Sequence, residues 1–192
     1  SLTDGSVWGV EALLRWNHPR LGLLFPNDFI PILEETGQLN DVGEWIVRRA
    51  CEDMKSEEFM VSINISPVQF RDEALLRRIQ GALEDTAFPP DRLQIEITEN
   101  VLIQDHLPAK SLLEALRQQK VLVAIDDFGT GFSSLSYLKT YNADFLKIDR
   151  SFISDMETES SNAAIVRSTI NLGHDLGMRI VGEGVEDGPE LK

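Results

Sequence analysis

One cysteine, Cys51, occurs in 192 residues, so no disulfide can form within the chain and a reducing compartment is expected. It sits in the helix-like run EWIVRRACEDM and reads as a small buried side chain. No run of about 18 apolar residues could span a bilayer, and the N-terminus lacks the basic-then-apolar layout of a signal peptide. Neither membrane contact by this domain nor export is therefore expected, and the location expected is cytoplasmic, which is compatible with a membrane-anchored parent protein. Cations are scarce: 18 Lys and Arg face 32 Asp and Glu, a net charge of −14. Binding to DNA or RNA backbone needs a positive field, so those partners are disfavoured. An anionic ligand would need cations to mediate its contact.

Repeats of fixed period, low-complexity tracts and linkers rich in Gly, Ser or Pro are also missing, which leaves one domain, residues 1–192, as the simplest account. The 42% hydrophobic content supports one substantial core. Short apolar runs at 7–14, 60–65, 93–97, 122–126, 145–148 and 179–182 read as strands. Amphipathic segments at about 27–36, 41–54, 73–85, 107–119, 133–139 and 162–176 read as helices. Gly37 and Gly177 stand at expected helix C-termini, and Pro26 and Pro67 near helix starts. Alternation of β and α argues an α/β fold with a parallel sheet, either doubly wound or closed as a (β/α)8 barrel.

Strands buried on both faces should be continuously apolar, yet each of these carries polar residues: Glu11, Asn64, Glu96, Asp126, Lys147 with Asp149, and Glu183. All but Glu11 lie at or just past the C-terminal end of the strand, the edge where α/β folds bind ligands. Period-two alternation over 7–14 and its continuation puts Glu11, Leu13 and Arg15 on one face; Asn64 and Glu96 likewise share faces with Ser62 and Gln94.

Six carboxylates in one mouth, Glu11, Glu96, Asp126, Asp127, Asp149 and Glu183, would repel one another unless cations were bound. Hard oxygen donors plus the amide of Asn64 suit Mg²⁺ or Mn²⁺; His18, His106 and His174 show no ligand spacing. Asp126 and Asp127 are adjacent, so the backbone must turn between them for both to reach a metal, and Gly129 and Gly131 permit such a turn. Asp126 is the candidate bridge between two ions. Lys147 and Asp149 are spaced to share a strand face, where a lysine among carboxylates could hold or polarise a water. DDFG is not the metal-holding motif of a kinase, since no G-x-G-x-x-G loop and no H-R-D precede it; no Walker A sequence occurs.

The ordered set EALLRW at 11–16, NIS at 64–66, EITE at 96–99, DDFGTG at 126–131, KID at 147–149 and EGVE at 183–186 resembles the EAL-domain phosphodiesterases of bacterial second-messenger signalling, along nearly the whole chain. The resemblance implies a (β/α)8, TIM-like barrel and hydrolysis of cyclic di-GMP to linear pGpG by water activated on two divalent ions. It implies Glu11, Asn64, Glu96, Asp126, Asp127 and Glu183 as metal ligands, with Lys147, Glu11 and Asp126 as the catalytic set. Arg15 is implied as the phosphate contact, with Leu13, Asp149 and Glu186 also at the substrate, and Glu99 as the anchor of the loop after Asp127. That loop and the following helix are implied to form a homodimer, under the control of sensor or regulatory domains.

Against the family pattern the first strand before EALLRW and the last after EGVE are missing, so the domain is expected to be incomplete at both ends. The rival reading is an inactive EAL domain serving as a cyclic di-GMP receptor or protein scaffold. Intact ligand positions and Lys147 favour the enzyme.

Overall fold

The computed structural model describes residues 1–104, 106–130, 135–154 and 160–185, arranged in two compact units. The first unit comprises residues 7–95 and 119–121. It holds strands β1 (Gly9–Glu11), β2 (Trp16–His18), β3 (Gly22–Leu24) and β4 (Met60–Asn64), and helices α1 (Pro26–Glu35), α2 (Leu39–Asp53), α3 (Pro67–Phe70) and α4 (Leu75–Thr86). Strand β5 (Leu93–Thr98) begins here after a 3-10 turn at Pro90–Arg92. Strand β1 pairs in parallel with β4, Gly9 opposite Met60 and Glu11 opposite Ser62.

The second unit takes in residues 1–6, 96–118 and 122–192. After the end of β5 come α5 (Glu99–Gln104), α6 (His106–Gln118), β6 (Leu122–Phe128), α7 (Leu135–Tyr141), β7 (Phe145–Ile148), α8 (Arg150–Ile153), α9 (Ser160–Asp175) and β8 (Arg179–Gly182). Here β6, β7 and β8 run parallel. The hydrogen-bonded strand order is β1-β4-β5 in the first unit and β5-β6-β7-β8 in the second. Six strands with intervening helices are thus the α/β architecture that the alternation predicted.

The cores follow from strand composition. Leu93, Ile95, Ile97, Ile125, Phe145 and Leu146 are fully buried, as is Glu96 on the alternate face of β5, where Gln94 is also buried. Helix starts and stops obey local chemistry. Pro26 and Pro67 occupy first-turn positions of α1 and α3, where a missing N–H costs nothing. Gly37 and Gly177 have φ of 70° and 78°, the left-handed conformation that ends α1 and α9. Ser66, the last residue of the NIS motif, caps α3: its Oγ accepts from Gln69 N at 3.3 Å while Gln69 Oε1 accepts from Ser66 N at 3.1 Å.

Two expectations are corrected. The strand predicted over 7–14 is only Gly9–Glu11, and the chain then leaves the sheet to form an antiparallel hairpin, Trp16 opposite Leu24 and His18 opposite Gly22. The hairpin turn is set by His18, whose Nδ1 accepts from the amides of Arg20 and Leu21, each at 3.1 Å, and by Gly22 at φ 77°. The helix predicted at 133–139 begins at Leu135 and runs on to Tyr141; residues 133 and 134 lie outside the described residues.

Candidate metal centre

Lysine 147 lies on β7 and is 5% exposed. Its Nζ is 2.5 Å from Glu96 Oε2, 2.7 Å from Glu183 Oε1 and 3.2 Å from Asp126 Oδ1. Glu96 comes from β5, Asp126 from β6, and Glu183 follows β8. Burial alone would lower the pKa of this ammonium, but the carboxylates of Glu96, Glu183 and Asp126 outweigh it and raise the pKa above that of ordinary lysine.

Beside it, carboxylate oxygens of Asp126, Asp127 and Glu183 all lie within 4.8 Å of one another. Strand β6 explains how adjacent aspartates join one cluster. Ile125 pairs with Leu146 and Phe128 with Ile148, so three steps on β6 span two on β7: one extra residue is accommodated at the two aspartates. Asp127 adopts φ 54°, and the strand is re-aimed there. The turn anticipated from glycines thus rests on Asp127 itself, a residue type that tolerates left-handed backbone, and on Gly129 at φ 99°; Gly131 lies outside the described residues. Thr130 fastens the turn, its N and Oγ1 donating to Asp127 O at 3.3 and 2.9 Å. Burial, then the charges of Asp126 and Asp149, raise the Asp127 pKa against the opposing effect of Lys147.

Glu96, Asp126, Asp127 and Glu183 around one ammonium carry a net charge of −3 when ionised. An all-oxygen donor set with that excess of negative charge could hold a hard divalent cation. Glu99, 7% exposed at the start of α5, accepts from Gly129 N at 3.4 Å. Asp149 is used locally: β7 stops at Ile148, and Asp149 becomes the N-cap of α8, accepting from Ser151 N at 2.9 Å and from the Ser151 hydroxyl. Glu186 lies outside the described residues.

In the first unit, Asn64 Nδ2 donates to Glu11 Oε1 at 2.5 Å, both side chains being at strand ends and exposed. Arg15 does not continue the face of Glu11, because β1 ends there. Its guanidinium donates to Leu14 O at 2.7 Å and lies 4.9 Å over the Phe25 ring, and Leu13 is 55% exposed. Period-two reasoning failed past Glu11 because the hairpin takes the backbone out of the sheet.

The sequence model of the EAL domain matches residues 1–192. The chain belongs to the EAL domain family. It is 41% identical over 189 residues to the bifunctional diguanylate cyclase/cyclic di-GMP phosphodiesterase MucR of Pseudomonas aeruginosa, a match covering 95% of this chain and 28% of that protein. It is 38% identical over 197 residues to the cyclic di-GMP phosphodiesterase NbdA of the same organism, covering 100% of this chain and 25% of the relative. The chain thus spans about a quarter of the length of these relatives. The solved cyclic di-GMP complex of the P. aeruginosa MucR phosphodiesterase superposes with a TM-score of 0.92 at 40% identity, covering 98% of this EAL domain and 78% of that chain. The P. aeruginosa FimX EAL domain bound to cyclic di-GMP gives 0.91 at 25% identity, covering 100% and 78%. The TIM-barrel-like α/β class expected from sequence is the fold of this family.

Proposed function

We propose that this EAL domain hydrolyses cyclic di-GMP to linear pGpG with the help of two divalent ions, Mg²⁺ or Mn²⁺. The observation that carries the reading is the charge arrangement on β5 to β8: buried Lys147 in contact with Glu96, Asp126 and Glu183, with Asp127 turned into the same carboxylate group. The names of its relatives MucR and NbdA point to the same substrate.

Glu11, Asn64, Glu96, Asp126, Asp127 and Glu183 are assigned as metal ligands, Asp126 as the shared one. Bound divalent ions supply an acidified water and charge neutralisation at the phosphate. Lys147 is already protonated and buried, so its task is to donate hydrogen bonds: it holds Glu96, Asp126 and Glu183 in place and can orient the attacking water. Arg15 is assigned to a substrate phosphate, with Leu13, Asp149 and Glu186 at the substrate. Glu99 fixes the backbone just past Asp127 through Gly129. We further assign a homodimer through the loop and helix after Asp127, sensor or regulatory domains in the parent protein, and a cytoplasmic site of action.

Chromatography of cyclic di-GMP incubated with the protein and Mg²⁺ or Mn²⁺ tests the reading. Linear product from wild type, and none from Glu11→Ala or Asp126→Ala, is the expected result. Intact substrate in every tube, with cyclic di-GMP still bound by the wild type, would favour a receptor.

A further inference from the structure

Gly129 and Tyr141 are each hydrogen-bonded to a single short helix, α5. Gly129 N donates to Glu99 Oε2, the first residue of α5. Tyr141, the last residue of α7, donates its hydroxyl to Leu102 O at 2.7 Å. Glu99 and Leu102 are one turn apart on the same helix.

The Tyr141 bond lies in the interior. Helix α5 is described as far as Gln104 and α6 from His106, so Leu102 stands near the close of the described part of α5. Leu102 is 2% exposed and Tyr141 3%, so water is a poor substitute. Removing the tyrosine hydroxyl would take a donor away from a buried acceptor, which is costly. Losing it would free α5 to shift, and Glu99 would move with it. Glu99 in turn holds Gly129, two residues past the left-handed Asp127.

We propose that Tyr141 is a positioning residue for the metal centre: acting through Leu102, Glu99 and Gly129, it keeps Asp127 in its left-handed, cluster-facing conformation. The inference rests on the assignment of Asp127 as a ligand.

The test is Tyr141→Phe, which deletes one oxygen. Calorimetric titration with Mn²⁺ alone, without substrate, should give an affinity about three- to tenfold weaker, below the roughly 10–100-fold loss seen when a direct outer partner of a ligand is removed. With active enzyme at saturating metal, KM for cyclic di-GMP should stay at the wild-type value. Thr86→Val is the control, because it removes a buried hydroxyl bond to Ala82 O in the other unit and should lower Tm with unchanged Mn²⁺ affinity. Tyr141→Phe behaving like this control would reduce Tyr141 to a structural role and overturn the proposal.

Amide exchange in metal-free wild type supplies a readout independent of both metal binding and folding of the variant. The Gly129 amide and the amides of α5 should open as one unit with the same denaturant dependence; separate opening would overturn the linkage. A wild type that binds no Mn²⁺ at all would instead remove the ligand assignment.

Discussion

Lys147 and Glu96 form a buried ion pair, Nζ to Oε2 2.5 Å, with 6% and 1% of their side chains exposed. They stand on β7 and β5, so the pair reaches past β6, the strand that carries Asp126 and Asp127. A buried pair adds little net stability, but breaking one leaves an uncompensated charge, which is expensive.

Lys147→Met should therefore cost about 3–5 kcal/mol in chelator-treated protein at neutral pH, measured by urea unfolding. Adding Mn²⁺ should restore more stability to this variant than to wild type, because the ion replaces the missing positive charge. A loss under about 1 kcal/mol would mean that Glu96 is neutral in the native protein.

The Asp127 conformation separates charge from backbone. Asn also tolerates left-handed φ, so Asp127→Asn keeps the turn at 54° and removes a carboxylate whose ionisation burial and Asp126 oppose. A folded pKa raised above the unfolded value means that the ionised form is penalised at neutral pH, and that native stability gains as pH falls through that range. Asp127→Asn should thus raise Tm slightly without metal while weakening Mn²⁺ binding. Asp127→Val should weaken Mn²⁺ binding equally and lower Tm, since a β-branched residue is strained there. Equal Tm for the two variants would argue against backbone strain at this position.

Much of this centre is legible in sequence because polar residues in apolar strands have few structural uses. Glu96 and Lys147 stood out as charges within strands and prove to be paired in the core. The alternation predicted six strands, all found. What escaped depends on contacts distant in sequence or on local departures from period two. The bulge at Asp126 and Asp127 is a register shift against β7, which no local pattern encodes. The hairpin at Trp16–His18 and Gly22–Leu24 was hidden inside an apolar continuation, although His-Pro-Arg-Leu-Gly offered a turn signal. The bond from Tyr141 to Leu102 joins residues 39 apart.

Gly129 combines two constraints. Its φ of 99° is disfavoured for any side chain, and a Cβ there would sit 3.0 Å from Cε2 of Phe152. Gly129→Ala should destabilise by about 1–3 kcal/mol in urea unfolding. Phe152→Leu in the same chain should recover only part of the loss, because the backbone strain remains. Full recovery would show that the ring contact alone demands glycine.

Cys51 gives a pH signature free of the metal centre. Its thiol is fully buried, and burial pushes its pKa from 9.0 to about 11, with a bond to Thr86 opposing and the charge of Glu52 adding. Between those values the unfolded chain has lost the proton while the folded chain keeps it, so this group's contribution is complete below pH 9 and is lost as pH rises toward 11. Other groups titrate in the same window, so the measurement is a difference: urea midpoints of wild type and Cys51→Ala at a series of pH values from 8 upward. The gap between them should shrink or change sign as pH rises, and iodoacetamide should label native wild type far more slowly than urea-unfolded protein at pH 8. A constant gap with fast native labelling would place the thiol in contact with solvent and would contradict its burial on the inner face of α2.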